Sequence, residues 1–173
     1  MKNNDKILIS FGSLLPCFED KKMFFTLLPN EEKANINCKS LLKYNRKYQL
    51  KDILPYALKL VGTPYLWGGK SSFGYDCSGL VQVLYTLSGN KFPRDCSMQI
   101  KSPLLTKVCK DDIQNGDLVY FSKDDSVNHV GIFIDKSTFL HSSGCVMINS
   151  IDENDMNFNS KLHSMIYGFY SLK

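Results

Sequence analysis

An α+β domain is the fold class this sequence predicts, and three observations carry it. Two segments of helical period, around 52–62 and 77–89, come first. Apolar, β-branched and aromatic runs of strand length follow, and turn residues separate those runs at short intervals. Helices ahead of sequential short-turned strands imply helices packed on an antiparallel sheet.

Residues 1 to about 48 alternate short apolar runs (ILISF, MFFTLL) with turn-prone stretches (CFEDKK, PNEEKAN), the punctuation of a few short strands. The expected division is therefore a small β-rich segment, 1–48, and a second domain, 49–173. In DILPYALKLVG the apolar positions 53, 54, 57, 58, 60 and 61 make a helical stripe, with Asp52 as N-cap, Pro55 in the tolerated first turn and Gly62 as the stop. TPYLWGGKSSFGYD reads as a loop rich in glycine and aromatics. CSGLVQVLYTLSG then gives a second stripe at 77, 80, 81, 84 and 87, ended by Gly89. The strand-like runs are NGDLVYFS, HVGIFID, FLHSSGCVMI and SMIYGFYSL.

At 173 residues and 43% hydrophobic content the chain can bury one sizeable core. Its net charge of +4 comes from 21 basic and 17 acidic residues scattered along the chain, with no basic tract interleaved with aromatics, so no nucleic-acid partner is expected. Six cysteines, at 17, 38, 77, 96, 109 and 145, form no CxxC pair and suggest reduced thiols rather than a zinc ribbon or a disulfide scaffold. No apolar stretch reaches the roughly 18–20 residues of a membrane span. Lys2 and Lys6 precede ILISFGSLLPCF, a pattern near that of a signal peptide ending at Cys17. Pro16 and Asp5 fit that pattern badly, so a cytoplasmic location is expected, with export as the alternative. The sequence does not give the oligomeric state.

The chemistry concentrates in GYDCSGL. Cys77 stands between an aspartate and a Ser-Gly pair at a helix start, where unpaired N–H groups and the helix dipole favour a thiolate. Those N–H groups can also hold a developing oxyanion. Asp76 can cap the helix, Ser78 offers a hydroxyl, and Gly79 is expected to keep the first turn open to a substrate carbonyl. A base must come from three histidines. His163 lies in the polar stretch NSKLHSM. His129 opens HVGIFID, and His141 lies on the next strand. A three-residue connection at 135–137 pairs residues 131 and 141 and puts both histidines on one face; one residue more or less puts them on opposite faces. In the favourable register His129 serves as general base to Cys77, and His141 fixes its tautomer. A zinc site of Cys77, His129, His141 and Cys145 is a weak alternative, lacking a local ligand pair, so no metal or cofactor is expected.

TPYLWGG, YDCSGLVQ, FPRDCSMQ, NGDLVYF, HVGIFI and FLHSSG together resemble, in order, the motifs of the NlpC/P60 family, cysteine peptidases of bacterial cell-wall peptides with a papain-like fold. The resemblance covers residues 52 to about 145. It implies Cys77 as nucleophile, His129 as base and His141 as the third, orienting member. It also implies cleavage of peptidoglycan stem peptides between γ-D-glutamate and a diamino acid. Asp76, Ser78 and Ser97 match positions that hold the substrate in similar enzymes, and Tyr65 matches a tyrosine beside the nucleophile. Trp67 reads equally as a packing aromatic or a substrate contact, and Asp76 reads also as a simple cap. Cys96 reads as structural, because its own motif supplies no base. Residues 1–48 look in part like a bacterial SH3-like domain, a resemblance that is weak at that length. Alternatives are a non-catalytic wall-peptide binding module, or an amidase or acyltransferase on the same fold.

Overall fold

The computed structural model describes residues 6–37, 39, 41 and 48–173, and the chain divides into two compact units, 1–46 and 47–173. Part of the sequence around the expected boundary lies outside the described residues. The first unit holds a three-stranded antiparallel sheet, β1 (Phe18–Asp20), β2 (Met23–Leu27) and β3 (Lys33–Ile36), in sequential order. Of the two apolar runs read as strands, MFFTLL forms β2, whereas ILISF forms none. The edge strand comes instead from FED, which the sequence presents as turn-prone: Lys21 and Lys22 take positive φ, close the hairpin, and let Phe18 stack on Phe25 at 5.4 Å. Among the described residues this unit shows no closed barrel.

The second unit begins with α1 (Leu50–Ala57). Its N-cap is Gln49, so Asp52 sits inside the first turn rather than capping it, where its charge still suits the helix dipole. A 3-10 turn, Leu58–Leu60, extends α1, and Gly62 at φ 90° ends it as expected. The next stretch, expected as loop, carries a two-residue hairpin, β4 (Lys70–Ser71) and β5 (Gly74–Tyr75). Helix α2 (Cys77–Leu87) buries Leu80, Val81 and Leu84, the stripe the sequence predicts, and Gly89 follows at φ 83°. Helix α3 (Cys96–Gln99) is a single turn.

The sheet comprises β6 (Leu105–Val108), β7 (Leu118–Lys123), β8 (Ser126–Phe133), β9 (Thr138–Ser143), β10 (Cys145–Ser150) and β11 (Ile166–Leu172). Their spatial order is β10-β9-β8-β7-β11-β6, all antiparallel, and the short α4 (Ser160–Ser164) precedes β11. FLHSSGCVMI is thus two strands rather than one run, because Gly144 at φ 76° turns the chain back within it.

Strand alternation gives the sheet two buried faces. Leu118, Tyr120, Val130, Ile132 and Leu140 share one face by register, and α2 packs on β8 and β9. The opposite face gathers Val119, Phe121, Phe133 and Phe139 with Ile113 and Ile151, covered by Leu162, Met165 and Phe169. Apart from the half-buried Leu162, Met165 and Phe169, these core residues are at most 1% exposed, so strand register is held from both sides. No helix among the described residues is long and apolar enough to cross a membrane.

Candidate active site

Asp76 and Cys77 open α2, and the local chain is built around the Asp76 carboxylate. That carboxylate caps the helix by accepting from the Gly79 amide at 2.6 Å, and accepts the Gly68 amide from the preceding loop at 2.8 Å. Arg94 reaches both carboxylate oxygens and also donates to Ser78 Oγ at 3.0 Å. Burial works against the Asp76 charge, but the Arg94 contacts and the two amides outweigh it and hold its pKa below the ordinary value. Asp76 therefore does more than cap, and its oxygens are occupied within the protein. Sequence reasoning passed over Arg94 inside FPRDCSMQ; a guanidinium beside a motif aspartate was the available signal.

Gly79 has a different purpose from the one expected. A Cβ there would lie 2.2 Å from the Gly69 carbonyl oxygen and 2.9 Å from Asp76 Oδ1, so its missing side chain lets the glycine-rich loop seat against the helix start. The room serves the protein's own backbone rather than an incoming carbonyl.

Cys77 is 7% exposed, and its Sγ lies 3.7 Å from Cys96 Sγ and 4.0 Å from the Asn128 carbonyl oxygen. Its pKa is lowered to about 5: hydrogen bonding from the Cys96 thiol is the largest cause, burial opposes, and hydrogen bonding and charge from His129 add to the lowering. Cys96 moves the other way, pushed far up by its bond to Cys77, by burial and by the Cys77 charge. One thiol ionises, and the other remains its proton donor.

The register between β8 and β9 pairs Gly131 with His141, as the three-residue connection requires, and brings His129 and His141 to one face. His129 Nε2 meets His141 Nδ1 at 2.8 Å, leaving His129 Nδ1 for the thiol. His141 Nε2 bonds in turn to Asn149 Oδ1 at 2.9 Å. Asn149 lies on β10 two residues beyond Met147, the partner of His141, and so shares its face. The available signal was the Ser143-Gly144 pair, a turn dipeptide inside a run read as continuous strand.

The proton positions along this line follow from its far end. Asn149 Nδ2 donates to the Asn157 carbonyl at 3.1 Å, and Asn159 Nδ2 donates to Asn149 Oδ1 at 3.3 Å, so Oδ1 must be the acceptor facing His141. His141 then carries its proton on Nε2 and accepts on Nδ1. His129 must donate from Nε2, and in its neutral form its lone pair sits on Nδ1, toward Cys77. Burial, followed by the nearby His129 charge, lowers the His141 pKa to about 4, so His141 stays neutral at ordinary pH. The two imidazoles spend their facing nitrogens on each other, an arrangement that does not converge on an ion, and among the described residues no cluster suited to a metal occurs.

Tyr65 is placed by its amide, which donates to the Gly144 carbonyl at 2.8 Å, and is half-buried. Burial first, then the Cys77 charge, raises its phenol pKa, which locates it beside the nucleophile. Ser78 is buried, with its carbonyl accepting from Gln99 Nε2 at 3.0 Å. Ser97 is exposed next to Cys96, and Trp67 is 86% exposed, so Trp67 is not a packing residue within the described structure. His163 stands apart on α4, against Phe158.

A helix that opens on a cysteine and packs on an antiparallel sheet is the fold of a papain-like α+β domain. The chain belongs to the NlpC/P60 family, whose model matches residues 62–164. A gamma-D-glutamyl-L-lysine dipeptidyl-peptidase from Bacillus cereus is 32% identical over 143 residues, covering 78% of this chain and 42% of that protein. A protein of the same name from Bacillus subtilis is 30% identical over 145 residues, covering 81% and 48%. The crystal structure of an NlpC/P60 family protein from Bacillus cereus superposes with a TM-score of 0.78 at 28% identity, covering 93% of this chain and 54% of that one. The chain thus spans about half the length of these relatives.

Proposed function

We propose that the protein is a cysteine endopeptidase that hydrolyses peptidoglycan stem peptides at the bond between γ-D-glutamate and the diamino acid. The single observation behind it is the buried Cys77 thiol at the start of α2, beside a hydrogen-bonded line through His129, His141 and Asn149 that favours its ionised form. The names of the relatives support the substrate class.

The Cys77 thiolate attacks the γ-carbonyl carbon of D-glutamate. Of the first-turn amides, that of Gly79 is taken by the Asp76 carboxylate and that of Leu80 by the Asp76 carbonyl, which leaves the amides of Cys77 and Ser78 to receive the oxyanion. Protonated His129 gives its Nδ1 proton to the leaving amine, and a thioester forms. Neutral His129 then takes a proton from water, which attacks the thioester and restores the thiolate. Asp76 holds Arg94 and the helix start in place. Tyr65, Trp67 and Ser97 are assigned to substrate contact, supported by the Cys77 charge felt at Tyr65 and by the exposure of Trp67 and Ser97, whereas the buried Ser78 hydroxyl is taken by Asp76 and Arg94.

The test is incubation with L-Ala-γ-D-Glu-L-Lys, with its diaminopimelate counterpart and with the N-acetylated tripeptides, followed by mass spectrometry. Release of L-Ala-D-Glu is the expected result, and the acetylated peptides tell a dipeptidyl-peptidase from an endopeptidase. Binding without release from any of them would make the protein a wall-peptide binding module instead.

A further inference from the structure

Cys96 is more than the structural cysteine its sequence suggests. Among the described residues Cys77 and Cys96 are both free thiols, each buried, each at the first residue of its helix, with sulfurs 3.7 Å apart. Closing that gap to a disulfide takes a shift of under two ångströms, since a disulfide sets its sulfurs about 2.0 Å apart. The remaining described cysteines offer no such pairing: Cys17 and Cys109 are exposed and Cys145 is half-buried, and no sulfur contact is recorded for them.

We propose that Cys77 and Cys96 form a redox-modification site, in which a peroxide oxidises the nucleophile and Cys96 captures it as a reversible disulfide. In the first step the Cys77 thiolate attacks one oxygen of the peroxide, the O–O bond breaks, and the sulfur, oxidised by two electrons, becomes a sulfenic acid while the peroxide leaves as hydroxide or alkoxide. In the second step the Cys96 thiol gives up its proton and its sulfur attacks the Cys77 sulfur. The S–O bond breaks, hydroxide leaves, and the released proton turns it to water. A dithiol reductant returns both thiols by exchange.

Contact between the sulfurs makes the capture possible, and the opposite ionisation tendencies of the two thiols set its order. Cys77 is the ionised member and reacts first, whereas Cys96 is held protonated chiefly by its hydrogen bond to Cys77. Sulfenic acid formation removes the Cys77 negative charge, and with it the interaction that kept the Cys96 proton on. The Ser78 hydroxyl, which favours ionised Cys96, then works unopposed by that charge. Contact at 3.7 Å makes the capture intramolecular, so it outruns a second oxidant molecule and stops the sulfur short of sulfinic acid. An intramolecular partner beside a nucleophile converts irreversible loss into a reversible pause.

The proposal rests on Cys77 being an activated thiol and not on which peptide is cut. The experiment treats the full reduced chain with a small excess of hydrogen peroxide at neutral pH, quenches, and maps peptides by mass with and without dithiothreitol. The parent protein is expected to lose about 2 Da in a cross-linked pair of peptides holding residues 77 and 96, and to regain both thiols with dithiothreitol. Cys96→Ser and Cys96→Ala are expected to gain about 32 Da at residue 77 instead, unchanged by dithiothreitol. A parent protein that reaches that sulfinic product as fast as the variants, or in which residue 77 stays unmodified or pairs with another cysteine, overturns the proposal. Should both variants fail to fold, the cross-linked peptide of the parent protein decides alone. Because mass is the readout, an untreated protein that cleaves no stem peptide would sink the peptidase reading while leaving this result standing.

Discussion

At Cys77 two neighbours of different chemistry act in the same direction. A thiol donor on one side and an imidazole on the other both favour the thiolate, and together they outweigh a burial that alone would push the thiol up. Alkylation of Cys77 by iodoacetamide should follow a midpoint near pH 5 instead of the usual value of about 8.5. Cys96→Ala should raise that midpoint, and His129→Ala should raise it too, since each variant removes one named cause. Parent-like midpoints in both variants would mean that the helix start alone sets the ionisation. Cys77→Ala should abolish hydrolysis while leaving the circular dichroism unchanged, because it removes the thiol that His129 activates, and the neighbouring Cys96 has no such imidazole partner. At Arg94, substitution by Gln leaves the 7%-exposed Asp76 carboxylate with two amides and the Ser78 hydroxyl but no guanidinium, and should lower stability by about 1–3 kcal/mol, read from the urea midpoint.

Elements position these groups through constraints that a single residue does not reveal. Gly79→Ala would gain about 1 kcal/mol of helix propensity but must push the Gly69 carbonyl from 2.2 Å, a backbone contact that cannot rotate away. The clash should win, with a net loss of about 1–3 kcal/mol and weaker hydrolysis as the loop lifts from the helix start. A more stable Gly79→Ala protein would remove this account. On β10, Asn149→Leu frees the His141 tautomer and should slow hydrolysis by about 10-fold to 100-fold, by analogy with the loss of an outer partner that orients a metal-bound histidine. Asn149→Asp keeps an acceptor and should recover most of the rate. A purely structural Asn149 would give equal losses in stability and no difference between the two variants in the pH profile of hydrolysis.

The same elements show what the sequence could carry. Helical periodicity marked α2 and placed Cys77 at its first residue, because a stripe of Leu80, Val81 and Leu84 has a definite start. The β8–β9 register was legible only as a condition on a three-residue connection, because the continuous apolar run of β8 does not itself choose a face, and the structure meets that condition by pairing Gly131 with His141. The Cys77–Cys96 contact was not, since it depends on how a single-turn helix packs against α2 across an irregular segment with no period of its own. Asn149 was hidden because FLHSSGCVMI reads as one strand-like run, although Ser143-Gly144 inside it is a turn signal that the positive φ of Gly144 realises.

On the scale of the whole molecule, the line from Asn149 to Cys77 ties the site to the stability of the sheet. His141 is 1% exposed on β9, between strands that are paired on both sides, so a charge there falls inside the domain rather than at its edge. Its pKa, about 4 in the folded protein, lies below the ordinary value of 6.5. As the pH falls, the unfolded chain therefore takes up this proton first. The contribution of neutral His141 is complete above about pH 6.5 and is lost progressively as the pH drops toward 4, an effect of order 3 kcal/mol. Urea midpoints measured between pH 7.5 and 4.5 should decline accordingly, ahead of the range where ordinary carboxylates protonate. His141→Asn retains an acceptor for the His129 proton but cannot itself be protonated in this range. Whatever its absolute stability, its urea midpoint should be markedly flatter between pH 6.5 and 4.5. Parallel curves for the parent and the variant would place the acid sensitivity elsewhere and would remove buried neutral His141 from the account of how the base is held.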